Sequence, residues 1–513
     1  MRRAAGAALG GSIGAAAIAD AGQAGGAALP PGSPQHLETQ TRLALRWAGR
    51  EPADWVRPKA GVEHNVVIVG AGQSGLSLAY GLKRRGIGRV SLIDQAAPGQ
   101  AGIWRRIARM QQLRTPKTLA GLEPDNPALG FRAWFESLNG PAAFDALDRI
   151  PRLAWADYLD WYRQTTGTTV RYGTRLVSIE PAADDTLRLH LEVDGQPRVE
   201  TTRKLILATG YAGAGGPAIP DFLQALPSSV WTHSTGSIPV NLAGKVVGVI
   251  GAGSNAFDAA AVALEGGAAE VHMFNRRAYV DYQGGPATGP APDRGYAGPT
   301  DLNYELPEVV RWRNYLLGER RVASVPLDSL QRAVAFRNFR LHLNASLSDV
   351  AMNNGQIVAR VGSRTHRFDY LIAGTGYRID LSAQPELARI HDAIALWRHR
   401  YQPQPGEEHA GGGAHPYLGP AFEFQPRAGV KADYLRHIHC FNLAGQLSFG
   451  IPVGDVPSVV DHPRVIAGIA RDLFVAGVDV ATHQRFVNLP QVAPDPAPYQ
   501  SAVDAPQRGR GAA

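Results

Sequence analysis

The stretch that decides the fold is NVVIVGAGQSG, residues 65–75. Its first half is almost wholly apolar and stops at glycine, which is typical of a parallel strand buried on both faces. A segment of helical periodicity at 73–85 follows, and then a second apolar run at 89–93. Together these segments predict a β-α-β unit with a GxGxxG turn between the first strand and the helix.

This turn has the features of a dinucleotide site. Its first glycine permits a tight turn, its second lets backbone approach a pyrophosphate, and its third lets helix and strand pack closely. Asp94 ends the next strand about 20 residues later, where a carboxylate accepts hydrogen bonds from ribose hydroxyls. The turn therefore predicts a site for adenosine diphosphate without a 2′-phosphate, formed by Gly70, Gly72, Gln73, Ser74, Gly75, Asp94 and Gln95.

The same pattern returns at KVVGVIGAGSNA, residues 245–256, before an apolar strand at 270–274. When Gly251 is placed over Gly70, the neutral Asn275 falls on Asp94 and two arginines follow it. A carboxylate repels a 2′-phosphate, whereas guanidinium groups bind one through paired hydrogen bonds. We therefore expect NADPH at this turn, bound by Gly251, Gly253, Ser254, Asn255, Ala256, Arg276 and Arg277. The alternative, that these two arginines are solvent-exposed residues at the end of a strand and bind no cofactor, stays open.

Each turn is followed downstream by an apolar strand that ends in Thr-Gly-Tyr, at 205–211 and again at 371–377. A glycine after a buried strand permits a sharp exit of the chain. We therefore expect the backbone to contact a cofactor where the chain leaves these strands, at Thr209, Gly210, Thr375 and Gly376.

The order of the motifs predicts an α/β fold with two Rossmann-like dinucleotide-binding domains, the NADPH domain being inserted into the FAD domain. The predicted limits are a low-complexity N-terminal extension at 1–34, an FAD domain at 35–240 and 370–489, an NADPH domain at 241–369, and a disordered tail at 490–513.

Composition narrows the function classes. The 513 residues include 52 Lys and Arg against 45 Asp and Glu, a thinly spread excess that does not indicate a nucleic-acid surface. The single cysteine, Cys440, excludes an internal disulfide, a CxxC pair and hence a pyridine-nucleotide disulfide reductase. It also favours a reducing compartment, and we expect the cytoplasm. The Ala- and Gly-rich stretch at 4–19 is too weakly apolar and too short to span a bilayer, and a targeting role for it stays open.

Beyond the turns, Gly102-Ile103-Trp104 and the prolines Pro217 and Pro220 resemble segments of the flavin-containing monooxygenases, which include Baeyer–Villiger enzymes and N-hydroxylases. The resemblance covers residues 60–480. It implies FAD and NADPH as cofactors, with Gly102 and Trp104 near the flavin and residues 110–117 running past its ring system. By the same resemblance, Gln446 and Asp455 are expected to contact FAD.

Two departures from the family pattern concern the chemistry. Arg114 and Thr115 stand where members often carry an asparagine that supports oxygenated flavin, and they are the candidate catalytic residues. The FxGxxxH fingerprint is reduced to His233-Ser234. Both departures argue against a standard Baeyer–Villiger or drug-oxidising member.

The resemblance implies an NADPH-dependent flavoprotein monooxygenase that inserts one oxygen atom into a small organic substrate through a C4a-peroxyflavin, with water excluded. An amine, by N-hydroxylation, and urate are the candidate substrates. An NADPH:acceptor flavin oxidoreductase without oxygen insertion and a non-enzymatic flavin-binding regulator stay open. The expected partners are a small-molecule substrate and O2, with no nucleic acid and no membrane, and a homo-oligomer stays open.

No metal site is predicted. Histidines beside a glycine-rich loop and beside Cys440 are interpreted as packed or surface side chains, namely His409, His415, His437 and His439. An aromatic group at 397–401, with Tyr417, Phe422 and Phe424, fits either core packing or the wall of a substrate pocket.

Overall fold

The structure is a computed structural model that describes residues 33–49, 51–118, 121–122, 126–239, 241–283, 300–320, 325–490 and 492–503. Residues 1–32 of the predicted extension, and residues 491 and 504–513 of the predicted tail, lie outside this part of the chain. Within it, no helix combines the length and apolar character that crossing a membrane requires.

The first sheet is centred on the strand that carries NVVIVG. Its strand order is β2-β1-β7-β6-β5, with β18 added beside β7. Strands β1, β2, β7 and β18 run parallel, whereas β5, β6 and β7 form an antiparallel meander. Residues 65–68 are buried, as the apolar run predicts. The bounds are β1 His64–Val69, β2 Val90–Ile93, β5 Thr174–Ala182, β6 Thr186–Val193, β7 Gln196–Leu207 and β18 Ile438–His439.

The second sheet repeats the parallel part of the first. Its order is β13-β10-β9-β17-β8, and all neighbours are parallel. Here β9 carries the second glycine turn, and the closing strand β17 lies beside it as β7 lies beside β1. The bounds are β8 Trp231–His233, β9 Val246–Ile250, β10 Glu270–Phe274, β13 Phe339–His342 and β17 Tyr370–Ala373.

The chain leaves the first sheet after β7, builds the second sheet, and returns at β18 to pair with β7. This topology confirms the predicted α/β fold with one dinucleotide-binding unit inserted into the other. The second sheet, however, extends beyond the predicted segment 241–369, because β8 and β17 belong to it. Thr-Gly-Tyr at 375–377 therefore closes the inserted unit itself, since its strand pairs with β9.

The remaining strands are short additions. An antiparallel sheet of β14, β15 and β16 packs beside the second sheet, β3 pairs with β4, and β11 pairs with β12. Their bounds are β3 Gln112–Pro116, β4 Arg149–Pro151, β11 Tyr282–Gln283, β12 Val325–Pro326, β14 Ser348–Asn353, β15 Gln356–Val361 and β16 Arg364–Phe368.

Helices cover the sheets and connect their strands. The two that follow the glycine turns are α2 and α7, and both start at the carboxyl end of a central strand. The bounds are α1 Pro34–Trp47, α2 Gln73–Arg84, α3 Phe131–Asn139, α4 Pro141–Ala146, α5 Arg152–Thr165, α6 Asp221–Gln224, α7 Ser254–Glu265, α8 Glu308–Arg320, α9 Leu327–Val334, α10 Trp397–Arg400, α11 Ala410–Gly413, α12 Gln446–Phe449, α13 His462–Gly477 and α14 Val480–Val487.

The two turns differ at the third glycine position and in the residue that packs closest to it. A Cβ on Gly75 would lie 1.9 Å from the carbonyl oxygen of Gly70, so only glycine fits there. The second turn has Ala256 at this place, and its neighbour at the end of the closing strand is Gly374, where the first unit has Ala208. A Cβ on Gly374 would lie 2.4 Å from the Cβ of Ala256. The side chain of Ala256 therefore packs against a position, directly after the closing strand, where only glycine fits.

We expect Gly374→Ala to lower the free energy of unfolding by about 1–3 kcal/mol, because an extra methyl group overpacks a filled site. Adding Ala256→Gly should recover part of this loss. Gly318→Ala is the control, since Gly318 is exposed within α8 and has open space around its Cα. Urea denaturation of the flavin-loaded protein measures the free energy of unfolding of Gly374→Ala, of the double variant and of Gly318→Ala. Equal stability of Gly374→Ala and wild type would contradict this packing account.

Candidate active site between the two nucleotide turns

The carboxylate of Asp94 lies at the first turn. Its Oδ2 accepts a hydrogen bond from the backbone N–H of Ala71 at 2.8 Å, and its Oδ1 accepts one from Ala96 at 2.8 Å. These bonds hold a half-buried acid beside the turn, where the ribose of a bound dinucleotide is expected. Gln95 follows it and is exposed.

The first turn is suited to a diphosphate. Helix α2 starts after Gly72, which supplies no capping side chain, so the first N–H groups of the helix are available to an anion. The hydroxyl of Ser74 is buried without a hydrogen-bond partner among the described residues. Gly72 and Gly102 face each other, a Cβ on Gly72 lying 3.7 Å from the Cα of Gly102. Side chains at either glycine would fill this narrow space.

Gln73 connects the first turn to two other segments of the chain. Its amide donates to the carbonyl of Gly454 at 2.9 Å and accepts from the indole N–H of Trp155 at 3.2 Å. Trp155 packs edge-on against Trp104, with ring centroids 6.4 Å apart, and Trp104 is buried. A cavity beside the turn is lined by Ala71, Leu76, Gly99, Ala101, Trp104 and Tyr172. The Gly-x-Trp segment therefore lies next to the predicted cofactor turn.

The first Thr-Gly-Tyr motif meets the C-terminal segment. The hydroxyl of Thr209 accepts a hydrogen bond from the amide of Asn442 at 3.1 Å, and a Cβ on Gly454 would lie 3.4 Å from the Cα of Gly210. The hydroxyl of Tyr211 donates to Oδ2 of Asp455 at 2.7 Å. Enclosure by the surrounding cleft raises the pKa of both groups of this pair. Gln446, at the start of α12, is half-buried.

The second turn has the same uncapped form, since α7 starts after Gly253 without a capping side chain. After β10, the amide of Asn275 donates to the carbonyl of Tyr279 at 2.8 Å and accepts from the backbone N–H of Arg277 at 3.2 Å. Asn275 thus shapes this loop, and Arg276 and Arg277 are exposed. In the described part of the chain, no carboxylate forms a salt bridge with either guanidinium.

Arg114 links the first unit to the second turn. From β3, its guanidinium donates to Oδ1 of Asn255 at 2.7 Å and to Oδ2 of Asp258 at 3.1 Å. Burial raises the pKa of Asp258, and the charge of Arg114 and a hydrogen bond from Ser329 oppose that shift. The neighbouring Thr115 is half-buried on the same strand.

The tyrosines of the two Thr-Gly-Tyr motifs meet in the cleft. The rings of Tyr211 and Tyr377 are edge-to-face with centroids 5.2 Å apart, and the ring of His233 lies 6.2 Å from that of Tyr377. Burial raises the pKa of Tyr377, and the charges of Arg114 and Arg109 oppose the increase. Thr375 donates its hydroxyl to the carbonyl of Ala218, which anchors the second motif beside this cleft.

Sequence reasoning did not select Arg109, Asp258 or Tyr377. Arg109 donates to the carbonyls of Ser234 and Gly236, contacts that join segments distant along the chain. Asp258 had a usable signal, because it follows Asn255 by one helical turn and so shares its helix face.

The histidines singled out from the sequence are packed or structural. His415 and His439 are buried, with hydrogen bonds to the carbonyls of Ala444 and Ala421, and burial lowers their pKa values to about 4 and about 3. His437 is buried, and His409 caps α11. In the aromatic group, Trp397, Phe422 and Phe424 are fully buried, which favours core packing for these three rings over a pocket wall.

Two glycine turns that open on one shared cleft define the class of two-dinucleotide-binding flavoprotein oxidoreductases, in which one cofactor reduces the other. Comparison with known proteins agrees. The FAD-NAD(P)-binding family matches residues 67–212, and the L-lysine 6-monooxygenase/L-ornithine 5-monooxygenase family matches residues 144–282.

The chain is 41% identical over 434 residues to the FAD-dependent urate hydroxylase of Xanthomonas campestris pv. campestris, covering 83% of this chain and 90% of that protein. It is 28% identical over 288 residues to the L-ornithine N(5)-monooxygenase of Burkholderia cepacia, covering 48% and 62%. Among solved structures, ornithine hydroxylase from Pseudomonas aeruginosa matches the fold with a TM-score of 0.62 at 19% identity, over 80% of this chain and 99% of that one.

The chain therefore belongs to the flavin monooxygenase family and is an FAD-dependent oxidoreductase. The expected family, enzyme class and two-dinucleotide fold are confirmed, and so are the cofactors, FAD with a nicotinamide dinucleotide. The roles of individual site residues stay predictions.

Replacing both Arg276 and Arg277 with alanine should raise the KM for NADPH by about 10–100-fold and leave that for NADH nearly unchanged. A hydrogen bond to a charged group contributes about 1.5–3 kcal/mol, and only NADPH carries the 2′-phosphate. Steady-state NAD(P)H oxidation measures both constants. Arg337→Ala, an exposed arginine before β13, is the control. An unchanged preference between NADPH and NADH would remove both arginines from the site.

Proposed function

We propose that the chain is an NADPH-dependent urate hydroxylase. The observation that carries the proposal is the 41% identity, over 83% of the chain, to a urate hydroxylase. When bound, FAD accepts electrons from NADPH and activates O2 for transfer of one oxygen atom. The charges and contacts of the cleft support an anionic, planar substrate.

The charge balance of the cleft favours an anion. Arg109 donates only to carbonyl groups, and within the described residues no carboxylate lies within salt-bridge distance of it. The acids nearby are engaged, since Asp455 accepts from Tyr211, and Asp258 accepts from Arg114 and Ser329. Asp258 is paired with Arg114, whereas Arg109 has no carboxylate in salt-bridge contact among the described residues, so its guanidinium can attract the negative charge of urate.

The aromatic groups supply a surface for a flat ring. Tyr377 makes edge-to-face contacts with Tyr211 and with His233. Burial raises the pKa of both tyrosines, so both hydroxyls are protonated at pH 7, and that of Tyr211 donates to Asp455.

In this proposal FAD occupies the first turn and NADPH the second. The proposed FAD contacts are Gly70, Gly72, Gln73, Ser74, Gly75, Asp94, Gln95, Gly102, Trp104, Thr209, Gly210, Gln446 and Asp455. The proposed contacts to NADPH are Gly251, Gly253, Ser254, Asn255, Ala256, Arg276 and Arg277. Thr375 and Gly376 lie at the cleft between the two. The proposed NADPH domain includes β8 and β17 in addition to 241–369, because both strands lie in its sheet. We place the enzyme in the cytoplasm, since Cys440 is buried and unpaired.

N-hydroxylation of an amine is the second candidate function. The match of residues 144–282 to the lysine and ornithine monooxygenase family favours it, and so does the 28% identity to an ornithine monooxygenase. The two candidate substrates differ in charge, because urate is an anion and the side chains of ornithine and lysine are cations at neutral pH.

A substrate assay with flavin-loaded protein tests the proposal. We expect urate to raise the rate of NADPH oxidation by about tenfold, a barrier change of about 1.4 kcal/mol, and to lower the peroxide formed per NADPH. L-Ornithine and L-lysine should leave both quantities at their basal values. Stimulation by an amine without stimulation by urate would overturn the urate assignment.

Arg114→Ala belongs in the same assay. Losing a guanidinium that holds the second turn and adds positive charge should raise the KM for urate by about tenfold or increase the peroxide fraction. Arg132→Ala is the matched control, because Arg132 is exposed on α3 and pairs with Glu136 one turn later. Unchanged KM and coupling in Arg114→Ala would remove Arg114 from the working site.

A further inference from the structure

Three histidines that are far apart in the sequence meet beside the second sheet. His272 lies on β10, His342 ends β13, and His366 lies on β16 of the adjoining antiparallel sheet. One ring nitrogen from each lies within 4.8 Å of the others, and Nδ1 of His272 is 2.9 Å from Nε2 of His342. Strand register brings them together, since Phe274 pairs with His342 across the β10–β13 ladder.

The rings are held in place by packing. The ring of His342 stacks on Phe274 with centroids 4.7 Å apart, and that of His366 stacks on Phe368 at 6.0 Å. All three histidines are half-buried.

A carboxylate contacts the ring of His272 on the side away from His342. Oε2 of Glu270 lies 3.0 Å from Nε2 of His272, and its other oxygen lies 3.3 Å from Nε of Arg340. A ring that donates one N–H to a carboxylate presents its other nitrogen as a more basic ligand. Nδ1 of His272, which faces His342, is then the ligand atom of this ring.

We propose that His272, His342 and His366 bind one divalent transition-metal ion, with Zn²⁺ as the best fit. Zinc binds imidazole nitrogens at about 2.0–2.1 Å in tetrahedral geometry, which places ligand nitrogens about 3.3 Å apart. One pair of nitrogens is 2.9 Å apart, and a nitrogen from each of the three rings lies within 4.8 Å of the others, so small side-chain movements would bring them to this spacing. A water molecule completes the coordination. Because the ligands come from two sheets, the ion ties the antiparallel sheet to the second sheet.

Metal titration of the flavin-loaded protein tests this proposal. With Co²⁺ as the probe, we expect one tightly bound ion per chain, displaced by Zn²⁺, and a rise in Tm with added metal. His342→Asn and His366→Asn should each weaken binding at least about tenfold, because losing even an outer-shell partner of a metal ligand typically costs about 10–100-fold in affinity. His483→Ala, an exposed histidine on α14, should bind as wild type does. Bound flavin and far-UV circular dichroism confirm that each variant is folded.

A second measurement does not depend on variants. Electron paramagnetic resonance of wild-type protein with one equivalent of Cu²⁺ should show hyperfine coupling to three imidazole nitrogens. Coupling to one nitrogen or none would overturn the proposal. So would unaltered Co²⁺ affinity in folded His342→Asn and His366→Asn, or loss of affinity in His483→Ala alone.

Discussion

Both nucleotide sites depend on the close approach of a glycine turn to the end of a neighbouring strand. A Cβ on Gly70 would lie 2.4 Å from the carbonyl oxygen of Ala208, and one on Gly251 would lie 2.4 Å from that of Gly374. Each helix then starts at the carboxyl end of its strand, after a glycine that supplies no capping side chain. The chain that leaves each neighbouring strand then carries its Thr-Gly-Tyr motif into the shared cleft, where the two tyrosines touch.

The two turns differ in the charges beside them, and the proposed role of each turn rests on this difference. An acid fixed by backbone N–H groups lies at the first, and two exposed guanidiniums follow the neutral Asn275 at the second. Arg114 joins the two units, since it leaves β3 and contacts α7 one turn into that helix. A cofactor at each turn would therefore share a cleft that Arg114 helps to hold together.

Structural features formed by one continuous segment could be predicted from the sequence. Features that depend on how distant strands pair could not. The strands, glycine turns and Thr-Gly-Tyr exits are continuous segments, so their periodicity and glycines are sufficient to identify them. The strand at 231–233 is too short to show a pattern, and only its pairing with β17 places it in the second sheet. Arg109 reaches its partners through loops, and the three clustered histidines meet only because β10, β13 and β16 lie together.

A crystal structure of the protein with FAD and NADP⁺ bound tests the central claim most directly. The account predicts the FAD ribose hydroxyls within hydrogen-bond distance of the Asp94 carboxylate, and the 2′-phosphate of NADP⁺ against the guanidiniums of Arg276 and Arg277. A dinucleotide ribose that avoids Asp94, or a 2′-phosphate bound away from both arginines, would contradict the assignment of the two turns.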